Sequence, residues 1–390
     1  MDRARGKCAL LTLGRLPVAL EIARALHADG WRVVVAEPLA WHLCRASRAV
    51  ARSIVVTSPT RDVARYTTDL LRAVEEEGVS LIVPVSEEIL FVSALRERLP
   101  TGVTLACAPF ERLMALHDKW RFAERARELG LAVPATALGS SEAGAAIALD
   151  GAHVVKRRLS CSGAGVVLHA AARPLDEAVR NERWIVQRRL CGASLCVSAF
   201  VVGSEARALV GYRGLIASGS VSVLFERVAL PDEIVAFVEA FVRASGHVGL
   251  IAFDFVADAA GAWHAIECNP RATSALHLLE PATIADRLLG QVGQVASGIR
   301  PIGTRRQEAW STLAVLQGRA LRGRLSRVDW RRIATTPDVD WSLDDPLPFL
   351  GMVPLNLPLM WRALRARRPI TEVTMADMGW YEPSTGGAGE

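Results

Sequence analysis

The chain has 390 residues, 51% of them hydrophobic and 22% charged, which supplies apolar side chains for two or three cored domains and excludes a disordered polyelectrolyte. A formal net charge of +5 suits small anions such as nucleotides but is too diffuse for a nucleic-acid surface. The seven cysteines lack CxxC spacing, which argues against a disulfide framework or a zinc site and suits a reducing compartment.

The opening "MDRARGKCALLTLGR" has too short an apolar run for a secretory leader. The nearest thing to a membrane span, "PLPFLGMVPLNLPLMW", is interrupted by prolines. The expectation is a soluble, cytoplasmic protein. Over residues 1–110, the strand patterns "CALLTLG", "RVVVAEP", "SIVVTSP", "SLIVPVSEEI" and "VTLACAP" alternate with helical ones such as "LPVALEIARALHADG". That rhythm predicts a parallel, doubly wound sheet. Gly14 ends the first strand, but Arg15, Leu16 and Pro17 follow it, so the GxGxxG of a dinucleotide site with Glu37 as its ribose acid is missing. Glu87 and Glu88 follow "LIVPVS", where ligands meet such sheets; either one contacts the substrate or one begins a helix.

Residues 111–300 change character. "ERLMALHDKWRFAERARELG" reads as one helix ending at Gly130, and "HVVKRR" as a buried strand carrying Lys156. A lysine inside a core strand is costly unless it meets an anion. The small-residue loop Ser160 to Gly165 follows it and can offer backbone N–H groups to phosphate oxygens. "RWIVQRRL" and "CGASLCVSAFVVGSEARALVGYR" add a strand, a glycine turn and an antiparallel pair. The segment "FDFVADAAGAWHAIECNPR" then puts Asp254 on one strand face and Phe253 and Phe255 on the other. If the hairpin closes around Ala260 and Gly261, position 254 falls opposite 267. Two facing carboxylates repel unless a cation sits between them, and Mg²⁺ is the natural one. Asn269 and Arg271 follow Glu267 in steps of two and so add a neutral oxygen and a fixed cation to the same place.

Residues 301–390 are basic and helical, with "QGRALRGRLSRVDWRRI" and "MWRALRARRPI" flanking the proline-rich stretch. Such faces either lie solvated on a packed helix or touch a membrane surface. "WSLDDPLPFLG", with Trp341, Asp344, Asp345 and Phe349, reads as a lid or as a packed connector, and "STGGAGE" as a frayed tail.

Asp118-Lys119, Lys156 with its loop, "VQRRL", "FDF" and "IECNPR", in that order, resemble the ATP-grasp superfamily, particularly its biotin carboxylase and carbamoyl-phosphate synthetase branch. The resemblance implies α/β and α+β architecture: a Rossmann-like domain (1–110), a two-lobed ATP-grasp domain (111–300) and a C-terminal helical or irregular extension (301–390). It further implies that Lys119 and Lys156 contact ATP phosphates and that Ser162, Gly163, Ala164 and Gly165 form the flap. Gln187, where many members carry Glu, and Leu190 would meet adenine, and Ser194 would stand near the ribose. Asp254, Glu267 and Asn269 would hold Mg²⁺, or Mn²⁺ in its place, and Arg271 would steady the transferred phosphoryl group. His277 either faces the substrate or packs on a helix. The implied activity is a carboxylate-amine ligase working through an acyl phosphate. Phosphoryl transfer to an enol or bicarbonate, or nucleotide binding without turnover, are the alternatives. The implied partners are a small carboxylate, an amine and a second copy of the chain.

Overall fold

The computed structural model describes residues 6–160, 165–219, 221–289, 304–321, 326–367 and 370–380; the "STGGAGE" tail lies outside them. Strands β1 (Cys8–Leu11), β2 (Arg32–Glu37), β3 (Val50–Val55), β4 (Leu81–Val83) and β5 (Thr104–Leu105) form a parallel sheet in the order β3-β2-β1-β4-β5. Helices α1 (Pro17–Ala28), α2 (Val63–Glu76) and α3 (Ile89–Ser93) lie between its strands in sequence. Strand order reverses between β1 and β4, and ligands of doubly wound sheets lie beyond the strand ends at such a point. Gly14, Arg15, Ser86 and Glu87 all follow those two strands.

The stretch read as one helix is two, α4 (Phe110–His117) and α5 (Lys119–Glu128). Asp118 leaves helical geometry, and its carboxylate accepts the N–H groups of Trp120 at 2.9 Å and Arg121 at 3.4 Å. That is N-cap chemistry, which stops one helix and starts the next. Strands β6 (Thr136–Leu138), β7 (His153–Arg157), β8 (Val166–His169) and β9 (Trp184–Arg188), with α6 (Glu142–Asp150) between β6 and β7, make an antiparallel sheet in the order β6-β9-β7-β8.

The third sheet runs β14-β13-β10-β11-β12-β15. Its strands are β10 (Ser194–Val202), β11 (Glu205–Ser218), β12 (Val221–Val228), β13 (Gly249–Ala257), β14 (Trp263–Asn269) and β15 (Arg305–Gln307). The β10–β11 turn uses Gly203 and Ser204, both at positive φ, as a two-residue hairpin loop requires. Helix α7 (Asp232–Ser245) precedes β13, and α8 (Pro281–Leu289) precedes β15. One face of β13 packs Phe253 and Phe255 edge-on against Phe241 and Phe237 of α7, with ring centroids 5.4 and 5.2 Å apart. Each buried phenylalanine contributes about 2–3 kcal/mol, which fixes Asp254 on the opposite face.

Beyond β15 come α9 (Ala309–Leu321), α10 (Arg327–Thr335), α11 (Leu347–Ala366) and α12 (Ile370–Met375). The proline-rich stretch is therefore a helix, with Pro354 and Pro358 inside it. No helix among the described residues is long and apolar enough to cross a membrane. This segment packs back on the first sheet. Asp345 accepts from Arg24 Nε at 3.0 Å and Ser47 Oγ at 2.5 Å, Asp377 from Arg15 at 2.6 Å, and Trp380 packs at a tilt against Phe91 and Phe110.

Candidate functional site

The β13–β14 hairpin places Asp254 opposite Glu267, though not by the simple closure that the spacing suggests. Ala257 pairs with Trp263, Val256 with His264 and Phe255 with Ala265, a ladder centred on Ala260 that would put Asp254 opposite Ile266. A bulge at Ile266 adds one residue to β14 and restores the Asp254–Glu267 pairing. Asn269 donates from Nδ2 to Asp254 Oδ2 at 3.2 Å. Burial, and then the charge of Glu267, push the Asp254 carboxyl up to about 6. Among the described residues no group of three or more His, Cys, Asp and Glu is placed to hold a metal. What faces the cavity is two carboxylates and one amide, the hard-oxygen set that suits Mg²⁺.

Two lysines approach this pair from neighbouring elements. Lys119, the first residue of α5, is buried, donates to Ser160 O at 2.7 Å and lies 3.8 Å from Glu267 Oε2. Its position is set twice over: its own N–H donates to Arg158 O at 3.2 Å, and Arg158 Nε donates to Asp118 at 3.1 Å. Lys156 projects from β7 and donates to Gln187 Oε1 at 2.9 Å, while Gln187 Nε2 donates to Thr136 at 3.0 Å. Burial lowers the Lys156 pKa, partly offset by Glu267 and reinforced by Lys119. Gly165 sits at φ +69, and a Cβ there would meet Arg157 Cγ at 2.9 Å. It returns the chain from β7 to β8, its carbonyl accepting from Arg157 N–H. Ser162, Gly163 and Ala164 lie outside the described residues.

Arg271 joins this site to the first sheet. Its Nε donates to Glu87 Oε1 at 2.6 Å, and another nitrogen reaches Asn269 Oδ1 at 3.4 Å. Glu87 is buried, with His117 Nδ1 3.6 Å away. Burial alone would raise its carboxyl, but Arg271 and His117 hold it below the usual range. Glu88 instead accepts from Thr12 and from the backbone of Val85 and Ser86, so it stabilises the strand end. Glu37 accepts from Gly14 N and Arg15 Nε, each at 2.9 Å, which is a structural use. The Glu87–Arg271 link and His117 went unread in the sequence because partners separated by |i−j| = 184 leave no local signal.

Lys156, Gln187, Leu190, Ser194, Asp254, Glu267, Asn269 and Arg271 all line one cavity of about 1860 Å³. His277 lines it as well, and its Nδ1 lies 3.0 Å from Glu21 Oε2. Asp345 and Trp341 do not; Asp345 ties the connector to α1, while Trp341 packs edge-on against Phe349. Helices α9 and α11 supply a further wall, a contribution that the sequence reading of the proline-rich stretch did not include.

Residues 116–275 match the family described as ATP-grasp domain, while no curated protein matches in sequence. Solved structures similar to the chain include Staphylococcus aureus N5-carboxyaminoimidazole synthetase complexed with ADP, at 14% identity and TM-score 0.64, over 81% of this chain and 86% of that one. The biotin carboxylase domain dimer of Hydrogenobacter thermophilus 2-oxoglutarate carboxylase, in complex with MgADP, ADP and bicarbonate, matches at 14% and 0.61, over 76% and 73%. L-amino acid ligase from Bacillus licheniformis matches at 18% and 0.60, over 77% and 79%. At such identities the likeness is one of fold. Taken with the order β7, β9, β13, β14 around a single cavity, it makes the segment 116–275 of this α/β chain an ATP-grasp domain.

Proposed function

We propose that the protein is an ATP-dependent carboxylate-amine ligase. The carrying observation is that Lys156, Arg271 and the facing carboxylate pair line one cavity, with Lys119 3.8 Å from Glu267. In this reading Lys119, Lys156 and the flap ending at Gly165 bind the ATP phosphates, and Gln187, Leu190 and Ser194 line the nucleoside end. Asp254, Glu267 and Asn269 would hold Mg²⁺, which supplies charge neutralisation to the phosphates when bound.

A carboxylate oxygen of the acid attacks the γ-phosphorus, the bond to the β,γ-bridging oxygen breaks, and ADP leaves. The amine lone pair then adds to the acyl carbon, and phosphate departs with the amine's proton. The chain's own residues contribute fixed positive charge where the γ-phosphoryl moves, from Lys119, Lys156 and Arg271. Glu87 holds Arg271 in place. Bicarbonate or an enol would use the same grip, but a cavity of about 1860 Å³ favours a larger acceptor.

Calorimetry of Mg²⁺-nucleotide binding to the wild type and to the Asp254→Ala, Glu267→Ala double variant tests the site. Micromolar binding that collapses in the variant supports the reading, and ADP release that needs both an acid and an amine completes it. Unchanged binding in the variant sinks it.

A further inference from the structure

The cavity has two unlike ends. One carries the charged residues that line β7, β13 and β14. The other is lined by Trp310 and Leu313 of α9 and by Val353, Leu357, Trp361 and Leu364 of α11. The α11 residues recur at spacings of three and four, so they form one continuous stripe on the helix. In a packed helix such a stripe is covered, yet Leu357, Trp361 and Leu364 remain 55%, 60% and 72% exposed. The helix is nevertheless held in place, since Trp310 Nε1 donates to Phe349 O at 3.0 Å and Met352, Leu359 and Ala363 are buried. The stripe therefore belongs to a fixed wall.

Size points the same way. Ligand pockets usually measure about 300–1,000 Å³, and this one is about 1860 Å³. A nucleotide at the charged end leaves a second compartment, and Arg271 and Thr273 line the cavity along with both ends. An occupant joining the two must put an anionic group near the phosphate grip and an apolar body along α11.

We propose that the compartment between α9 and α11 takes the acid substrate, and that this acid carries an extended apolar chain. The identification as substrate rests on the ligase reading; the binding preference stands by itself. The carboxylate lies toward Arg271 and the chain along Val353, Leu357 and Leu364. Each methylene laid against that wall leaves water and tightens binding about fourfold.

The test is a titration of butanoate, hexanoate, octanoate and decanoate into the full chain with Mg²⁺ and a non-hydrolysable ATP analogue, followed by tryptophan fluorescence. Affinity is expected to rise about fourfold per methylene. In Leu357→Ser and Val353→Ser that slope flattens, while affinity for the Mg²⁺-nucleotide stays within about twofold. Affinity that ignores chain length in the wild type overturns the proposal, with no variant required. So does co-sedimentation with anionic vesicles that Leu357→Ser abolishes, if the acids do not bind, because α11 would then be a membrane-facing helix. Chain-length-dependent binding without ADP release for any amine upholds the compartment and removes the ligase reading. ADP release that is indifferent to chain length does the reverse.

Discussion

Asp254 owes its side-chain direction to its neighbours and its raised pKa first to burial and then to Glu267. With Phe253 and Phe255 locked in the core, the carboxylate must face Glu267, and its pKa rises from 3.8 to about 6. A carboxyl raised on folding contributes stability that is fully present below its unfolded pKa and is lost as pH rises through the folded value. Without a cation, Asp254 therefore destabilises the neutral-pH fold, by about 3 kcal/mol for a two-unit shift. Asp254→Asn is expected to raise the urea midpoint at neutral pH, with the advantage over wild type vanishing toward pH of about 4. The same variant should bind the Mg²⁺-nucleotide on the order of 100-fold more weakly, and wild-type affinity should fall about tenfold per unit below pH of about 6. A variant less stable than wild type at neutral pH would contradict this account. Glu87 behaves oppositely: Arg271 and His117 lower its pKa against burial, so its stabilisation is present above the unfolded pKa and lost as pH falls through the folded one. Glu87→Gln should cut the turnover of ADP release on the order of 10–100-fold with nucleotide KM nearly unchanged, because it loosens the Arg271 clamp and not the lysines.

At the scale of elements, the site depends on where two of them are interrupted. Asp118 ends α4, caps α5 and pairs with Arg158, so Lys119 starts its helix beside Ser160. Asp118→Ala should cost about 1–2 kcal/mol in chemical denaturation and raise nucleotide KM several-fold, since Lys119 loses both its frame and the tether to Arg158. An unchanged KM would mean that Ser160 alone positions the lysine. Ile266 is the other interruption. Period-two alternation in "FDF" and "IECNPR" is strong enough to give the faces and the Asp254–Glu267 pairing from sequence. The bulge that produces this pairing is silent there, because an apolar residue in a strand looks the same in or out of register. The parallel sheet was legible for a similar reason: "CALLTLG" and "RVVVAEP" are short apolar runs bounded by turn residues. The break at Asp118 was not, since the apolar period continues across it, and helix α11 was hidden by prolines that ordinarily argue against helix.

Across the whole molecule, what sequence could not supply is the return of the C-terminal helices to the first sheet. Arg24 and Asp345 stand 321 residues apart, and Arg15 and Asp377 362; no local pattern encodes such pairings. Asp345→Ala should cost about 3–5 kcal/mol, because it leaves Arg24 half-buried without its carboxylate, and should speed proteolytic cleavage near α11 before any loss of nucleotide affinity. Simultaneous loss of both would show that the two ends of the cavity unfold together. The chain order of these parts bears on how the protein is made. Residues 8–307, with Lys119, Lys156, Asp254, Glu267 and Arg271, precede α11 and the Asp345 and Asp377 anchors in sequence. A ribosome therefore releases the charged end of the cavity before its apolar wall exists, so under the proposed reading a nascent chain meets nucleotide first and gains its second compartment only when the later helices fold back onto β1 and α1.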